Sequence, residues 1–259
     1  DRSTRSVVLT AAGRRFFIEA QDLLQRAHVA TLNAQKMSQG TIGSVNISFV
    51  ARAVYEFLPM VIARGKERYP HIDISLKEMT TGEQFEALRL RQSDIGLVRA
   101  PSAVTGVSSE ILVREPFVLA VPRHHELATL ADITLAHLDK QPFIMYALST
   151  WQPFYELLTG MFRSNHIQPD YVQYIGSTLT ILSLVNAGMG MALVPESAAR
   201  ILFDDIVYRH ITLPPGVESL LYLAWRDDND NPAFKVMLDL INASIKTPRD
   251  KNYQSRVLA

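Results

Sequence analysis

The sequence predicts an α/β fold in which one long helix precedes two α/β units. From Ser44 onward, runs with apolar residues at every second position alternate with runs that have them at every third or fourth position. This alternation is typical of parallel strands joined by helical crossovers. From Thr10 to Ser38 the helical pattern instead continues without a break. Ligands of such folds bind in crevices at the carboxyl ends of strands, so residues that follow strands are the candidate site.

The long helix carries a narrow apolar stripe in alternating steps of four and three. Its members are Phe16, Ala20, Leu23, Ala27, Ala30, Ala34 and Met37. The spacing averages about 3.5 residues, which is the period of a coiled coil. Thr10 is placed to cap the first turn of this helix. From the residues alone, the stripe predicts either a helix packed on its own domain or a dimerisation helix.

The pattern that follows predicts two successive units. The first unit has strands at Ser44–Val50, His71–Glu78, Ile95–Val98 and Pro116–Pro122, and helices at Tyr55–Arg68 and Gly82–Arg91. The second has strands at Phe143–Tyr146, Asp170–Ile175, Met191–Val194, Ile206–Leu213 and Ser219–Trp225, and helices at Leu135–Leu138, Trp151–Asn165, Thr178–Ala187, Glu196–Leu202 and Phe234–Ile245.

Composition excludes several classes of function. The chain of 259 residues has 26 basic and 26 acidic residues, so no overall positive field favours nucleic acid or membranes. It has no cysteine, which excludes disulfides and thiolate chemistry. No apolar run is long enough to span a membrane, and the cytoplasm is the expected location. Motifs for a metal or a cofactor are missing, since His124–Glu126 and Asp227–Asp230 are typical of surface turns.

Polar side chains follow several of the predicted strands. Arg52 follows the first strand, Thr81 the second and Arg99 the third, and an arginine there could bind a carboxylate in a bidentate manner. Ser149, Thr150 and Thr178 stand at equivalent places in the second unit. Each hydroxyl alone could be a helix cap, but their convergence on one rim favours a binding site. They do not form a nucleophile–base–orienter set, which favours binding over turnover.

Several segments resemble the LysR-type transcriptional regulators. Val8–Gly13 with the long helix resembles the end of the DNA-binding wing and the linker helix of that family. Three further segments resemble its co-inducer domain: Leu88–Gly96, Phe117–Leu127 and Leu184–Pro195. The resemblance extends from Arg5 to about Ile245 and keeps the order of these motifs.

The resemblance is strongest to the branch that responds to muconate and benzoate, through Glu78–Gln84 and Ile95–Arg99. It implies an inducer between two lobes, in contact with Ala51 and Arg52, Thr81 and Phe154. Arg52 departs from that branch, which commonly has a serine at this position. The effector site predicted in this way comprises Val50, Ala51, Arg52, Thr81, Arg99, Ser149, Thr150, Phe154 and Thr178.

The resemblance also implies a two-lobed fold, like that of periplasmic binding proteins, with Rossmann-like lobes that the chain crosses near Ala120–Pro122 and Tyr222–Trp225. The expected parts are a wing remnant (1–9), the linker helix (10–39), an effector-binding domain (40–247) and a tail (248–259). Lobe I covers about 44–120 and 224–246, and lobe II covers about 121–222. A helix-turn-helix is expected before Asp1.

The partners that this implies are a small carboxylate, further copies of the chain in a dimer and a tetramer, and promoter DNA through the N-terminal domain. RNA polymerase is a further candidate, and no membrane is expected. Two other classes stay open: a solute-binding protein of a transporter, and an enzyme such as a deaminase or dehydratase that uses the same cleft.

Overall fold

The computed structural model describes residues 9–38, 43–54 and 57–245 of the chain, and it has the predicted architecture of a long helix followed by a two-lobed α/β domain. The predicted tail and almost all of the predicted wing remnant lie outside these residues. The helices and strands are α1 (Ala11–Ser38), β1 (Ser44–Phe49), α2 (Phe57–Arg68), β2 (Asp73–Glu78), α3 (Thr81–Arg89), β3 (Ile95–Val98), β4 (Val107–Pro122), β5 (Pro142–Tyr146), α4 (Leu148–Ser164), β6 (Asp170–Ile175), α5 (Thr178–Asn186), β7 (Ala192–Pro195), β8 (Ile206–Arg209), β9 (Glu218–Arg226) and α6 (Pro232–Ile245).

Lobe I is built on a sheet with the strand order β2, β1, β3, β9, β4. The first three strands are parallel, whereas β9 pairs antiparallel with both β3 and β4. Alternate residues of β1, among them Val45 and Ile47, are buried with Val61 of α2 and Met237 of α6. The opposite face of the sheet packs on α3 through Leu88. The period-two pattern that predicted β1 thus reflects a strand with its apolar side under α2 and α6.

Lobe II has its own sheet, made of β7 and β8 on either side of the second half of β4, and of the parallel pair β5 and β6. The two parts are joined through Met191, whose carbonyl accepts a hydrogen bond from Ile144 and whose amide donates to Pro142. The backbone before Met191 can approach Pro142 this closely only because residue 190 is a glycine. A Cβ on Gly190 would lie 2.7 Å from the Pro142 carbonyl oxygen.

The strands β4 and β9 connect the two lobes. Val107 to Pro116 of β4 pair with β9, and Phe117 to Pro122 pair with β7 and β8. The change of partner therefore falls at Pro116 and Phe117, a few residues before the predicted crossing at Ala120–Pro122. The strand predicted at Pro116–Pro122 was too short, because β4 already begins at Val107.

Other boundaries also differ from the predictions. Helix α4 begins at Leu148 and not at Trp151, which places Ser149 and Thr150 in its first turn. The earlier start places Pro153 inside α4, although a proline is tolerated best in the first turn of a helix. The strand predicted at Ile206–Leu213 ends at Arg209. Helix α1 begins as predicted, since Thr10 Oγ1 accepts a hydrogen bond from the Gly13 amide at 3.0 Å.

Candidate functional site

The carboxyl end of β1 lies beside the carboxyl end of β3 in lobe I. The Val50 amide donates to the Leu97 carbonyl at 3.1 Å, which joins the ends of β1 and β3. The Val50 carbonyl in turn accepts from Ala53 at 2.9 Å, so the chain turns at once into a short 3₁₀ helix, Ala51–Val54. Val50 is buried in the core and Ala51 is half-buried. Arg52 lies in this turn, but its side chain is outside the part of the chain that the structure describes.

The start of α3 lies next to the end of β3. Thr80 and Glu83 form a capping box in which the Thr80 amide donates to the Glu83 carboxylate at 2.8 Å. This bond and a second from the Thr80 hydroxyl hold the pKa of Glu83 below its usual value. Thr81 is not the cap. Its hydroxyl accepts a hydrogen bond from the Arg99 amide at 3.2 Å, so it joins the start of α3 to the end of β3.

Gln84 also contacts the ends of these strands, and the sequence interpretation missed it. Its side chain is fully buried, and its Nε2 donates to the carbonyls of Met79 and Leu97, each at 3.1 Å. It therefore fixes the end of β2 against the end of β3. A signal was present in the sequence, since a glutamine on the core-facing side of a predicted helix needs partners for its amide.

Lobe II has a cluster of buried aromatic residues around Phe154. The Phe154 ring packs edge-on against Phe117 and Tyr146, with ring centres 5.0 Å and 5.2 Å apart. The Tyr146 hydroxyl lies 3.5 Å from the Thr178 hydroxyl, and both residues are buried. Ser177 caps α5, because its hydroxyl accepts from the Thr180 amide. Ser177, like Thr80, is thus a helix cap that directly precedes a hydroxyl residue of the predicted site.

Arg99 joins the two lobes. It follows β3 of lobe I, and its guanidinium carbon lies 4.5 Å from the centre of the Phe154 ring of lobe II. Only 8 % of Arg99 is exposed, so this cation–π contact is shielded from water. Thr81 and Arg99 of lobe I thus meet Phe154 of lobe II at the lobe boundary. Thr178 lies beside Tyr146 in lobe II, and Ser149 and Thr150 are exposed in the first turn of α4.

A buried carboxylate lies where the chain passes between the lobes. Glu115 of β4 is 3 % exposed and accepts hydrogen bonds from the Ser197 amide at 2.9 Å and from the hydroxyls of Ser197 and Ser219. Ser197 belongs to lobe II, and Ser219 lies at the start of β9. Glu115 therefore ties both crossing strands to lobe II. No local signal in the sequence indicates this role, because the partners Ser197 and Ser219 come from distant segments.

The stripe of α1 is exposed to solvent. Phe16 is 72 % and Leu23 65 % exposed, and Ala27 and Ala30 are exposed as well. Ala20 is half-buried, and the side chains of Ala34 and Met37 lie outside the described residues. Exposed apolar residues beside the stripe, which the sequence interpretation left out, widen this surface: Phe17, Ile18 and Leu24. An apolar surface of this size on one helix favours a partner.

Membrane-spanning helices and metal-binding clusters are both absent from residues 9–38, 43–54 and 57–245. None of the helices there is both long enough and apolar enough to cross a membrane. The His, Asp and Glu side chains of these ranges form no group able to hold a metal ion. His125 has another role, since its Nδ1 accepts from the Leu127 amide and caps a 3₁₀ turn.

Comparisons with known proteins agree on one family. The LysR substrate binding domain matches residues 38–246. The transcriptional regulator AlsR of Bacillus subtilis is 31 % identical over 93 % of this chain and 80 % of its own length. The Hca operon transcriptional activator HcaR of Escherichia coli is 30 % identical, with the same coverage of both chains.

Solved structures show the same fold. The effector-binding domain of BenM with its effector benzoate has a TM-score of 0.70 and 24 % identity, over 81 % of this chain and 96 % of that one. Full-length CbnR in complex with its target DNA has a TM-score of 0.82 and 24 % identity, over 93 % of this chain and 85 % of that one. At this level of identity the likeness establishes the fold alone.

Proposed function

This chain belongs to the LysR family of transcriptional regulators, and we propose that its interlobe cleft senses a small carboxylate. The observation that carries the proposal is Arg99, a cation that β3 holds against the Phe154 ring at the lobe boundary. A guanidinium is the side chain best suited to bind a carboxylate through two parallel hydrogen bonds. Thr81 lies in the first turn of α3, where helix amides favour an anion.

The surroundings of Arg99 support an effector with an apolar body. The Phe154 ring contacts this guanidinium and packs on Phe117 and Tyr146, so the side of lobe II that meets Arg99 is aromatic. An aromatic-degradation intermediate such as benzoate or muconate combines the two properties, a carboxylate and a flat carbon frame. In this proposal Val50, Ala51 and Arg52 border the cleft from lobe I, and Ser149, Thr150 and Thr178 border it from lobe II.

We propose that effector binding changes how copies of the chain are arranged. An effector shifts an equilibrium only if it binds one lobe arrangement more tightly than the other. In this proposal two copies of the chain pair through the exposed α1 stripe, and two such dimers form a tetramer. The geometry of the tetramer depends on whether the lobes are closed. Promoter DNA is contacted by a winged helix-turn-helix on the N-terminal side of α1, and RNA polymerase is a further partner in this scheme.

Calorimetric titration tests the carboxylate. Benzoate, muconate and succinate are titrated into the chain, with benzamide as the neutral analogue of benzoate. We expect one carboxylate to bind and its amide to fail. Arg99→Gln should weaken binding about 10- to 100-fold, because a charge-assisted hydrogen bond contributes about 1.5–3 kcal/mol. Arg89→Gln is the matched control, an exposed arginine on α3 that pairs with Glu86.

Three results would contradict parts of the proposal. Equal affinity for benzoate and benzamide would show that the site does not recognise the carboxylate. Undiminished affinity in Arg99→Gln would remove Arg99 from the site, and Arg52→Ala tests Arg52 in the same way. Turnover of the bound ligand would favour the enzyme alternative.

The relatives are named as regulators, which supports regulation over both solute transport and catalysis.

A further inference from the structure

A second cavity lies between α1 and lobe I. Its volume is about 320 Å³, which is within the range of small-molecule sites. Arg26 and Val29 of α1 line one side, and Lys77 of β2 and Arg91 of the loop after α3 line the other. Thr81, Arg99 and Phe154 do not line it, so it is separate from the interlobe cleft.

The lining of this cavity is positively charged. It has three cations, Arg26, Lys77 and Arg91, against one carboxylate, Asp22. The whole chain has a net charge of zero, so this excess is local. Arg91 pairs with Asp228 at 2.6 Å. In the part of the chain that the structure describes, Arg26 and Lys77 form no ion pair, although Lys77 interacts electrostatically with Glu83.

The floor of the cavity is polar and already ordered. The hydroxyls of Ser48 and Ser93 lie 2.9 Å apart and are buried, and the Ser93 hydroxyl also lies within hydrogen-bond distance of the Ile95 carbonyl. Val29 and Met79 add apolar surface to the walls. A ligand that fits this cavity therefore carries negative charge on a short hydrocarbon frame, because the cations take the charge and the apolar walls take the frame.

We propose that this cavity is a second effector site, which binds a small dianion, a dicarboxylate or a phosphate monoester, between Arg26 and Lys77. Two facing cations match two negative charges, and the guanidinium can bind one charged group through two hydrogen bonds. One cation belongs to α1 and the other to lobe I, so a bound dianion favours the arrangement in which the helix lies against the lobe. This inference does not depend on the carboxylate site in the cleft.

Titration of inorganic phosphate and of succinate into the full chain tests the site, in a buffer of low ionic strength because salt screens such charges. We expect saturable binding of at least one probe. Arg26→Gln and Lys77→Gln should each weaken it at least about tenfold. Both side chains are exposed, so neither change should affect folding. The matched controls are Arg15→Gln on α1 and Lys235→Gln on α6, which are exposed and do not line the cavity.

The position of α1 gives an independent readout. The chain has no cysteine, so Gln21→Cys on α1 and Glu67→Cys on α2 accept two spin labels without a background site. The bound probe should narrow the distribution of distances between the labels.

Four results would overturn the inference. The first is that neither probe binds saturably, and the second is that both Arg26→Gln and Lys77→Gln leave binding intact. The third is that Arg99→Gln abolishes binding, which would assign it to the cleft. The fourth is that the distance distribution between the labels is unchanged at saturation.

Discussion

The contact between Arg99 and Phe154 makes a prediction with a defined magnitude. Phe154→Leu keeps most of the apolar volume but removes the ring. The ring has edge contacts with Phe117 and Tyr146, each worth about 0.5–1.5 kcal/mol. The cation–π contact with Arg99 adds about 0.5–2 kcal/mol, towards the upper end because both groups are buried. We therefore expect Phe154→Leu to lower the free energy of unfolding by about 1.5–5 kcal/mol.

A double-mutant cycle separates the interlobe contact from the rest. Urea denaturation is measured for the unaltered chain, Phe154→Leu, Arg99→Met and the double variant. The expected coupling energy is about 1 kcal/mol. Phe162→Leu with Arg99→Met is the control, because the contacts seen for the Phe162 ring are with Phe143 and Tyr171. A coupling below about 0.3 kcal/mol, or one equal to that of the control pair, would refute a stabilising contact between the lobes here.

Three further predictions concern α1 and two titrating groups. Ala27→Glu puts a charge in the α1 stripe and should convert dimers to monomers in sedimentation velocity, whereas Gln21→Glu on the opposite side of the helix should not; a dimeric Ala27→Glu would exclude the stripe from the interface. The pKa of Glu83 is lowered by its bonds from Thr80, so its stabilising effect is present above the usual pKa of 4.5 and is lost as the pH falls through the lower folded pKa. Thr80→Ala should move the pKa of Glu83 part of the way back in a carboxyl NMR titration, because the amide at this position still donates, and an unchanged pKa would contradict this assignment. Burial raises the pKa of Tyr171 to about 12, so its neutral phenol stabilises the fold below its usual pKa of 10.0 and this effect is lost as the pH rises through about 12. Tyr171→Phe should remove one step near pH 12 from the alkaline absorbance titration, and persistence of the full step would assign it to another tyrosine.

Sequence patterns predicted most elements because each has a local signal. The interior strands β1 and β3 have apolar positions at the strand period, and α2 and α6 have apolar faces at the helical period. The first half of β4 was missed because the apolar residues from Val107 to Glu115 do not follow the strand period: Ile111, Leu112 and Val113 stand together among serines and charged residues. It is a strand because β9 pairs with it, and β9 lies about a hundred residues away. No local pattern contains that information.

The candidate site was predictable in position but not in contacts. Parallel strands place their carboxyl ends on one edge, which is why Thr81 and Arg99 could be expected together. The cation–π contact of Arg99 with Phe154 depends on how two lobes meet, and a sequence does not show this. Glu115 and Gln84 were missed for a related reason, since buried polar groups are recognised by their partners, and these come from distant segments.

The place of β9 in the lobe I sheet has a consequence for synthesis on the ribosome. Ile95 of β3 pairs with Trp225 of β9, and β9 emerges only after all strands of lobe II. Lobe II, from Phe117 to Arg209, has its strands in one continuous run and can fold first. Until β9 arrives, β3 presents an open edge to other nascent chains. The open edge of β3, in the first sheet to be synthesised, is thus protected from pairing with other chains only when the last strand, β9, has been made.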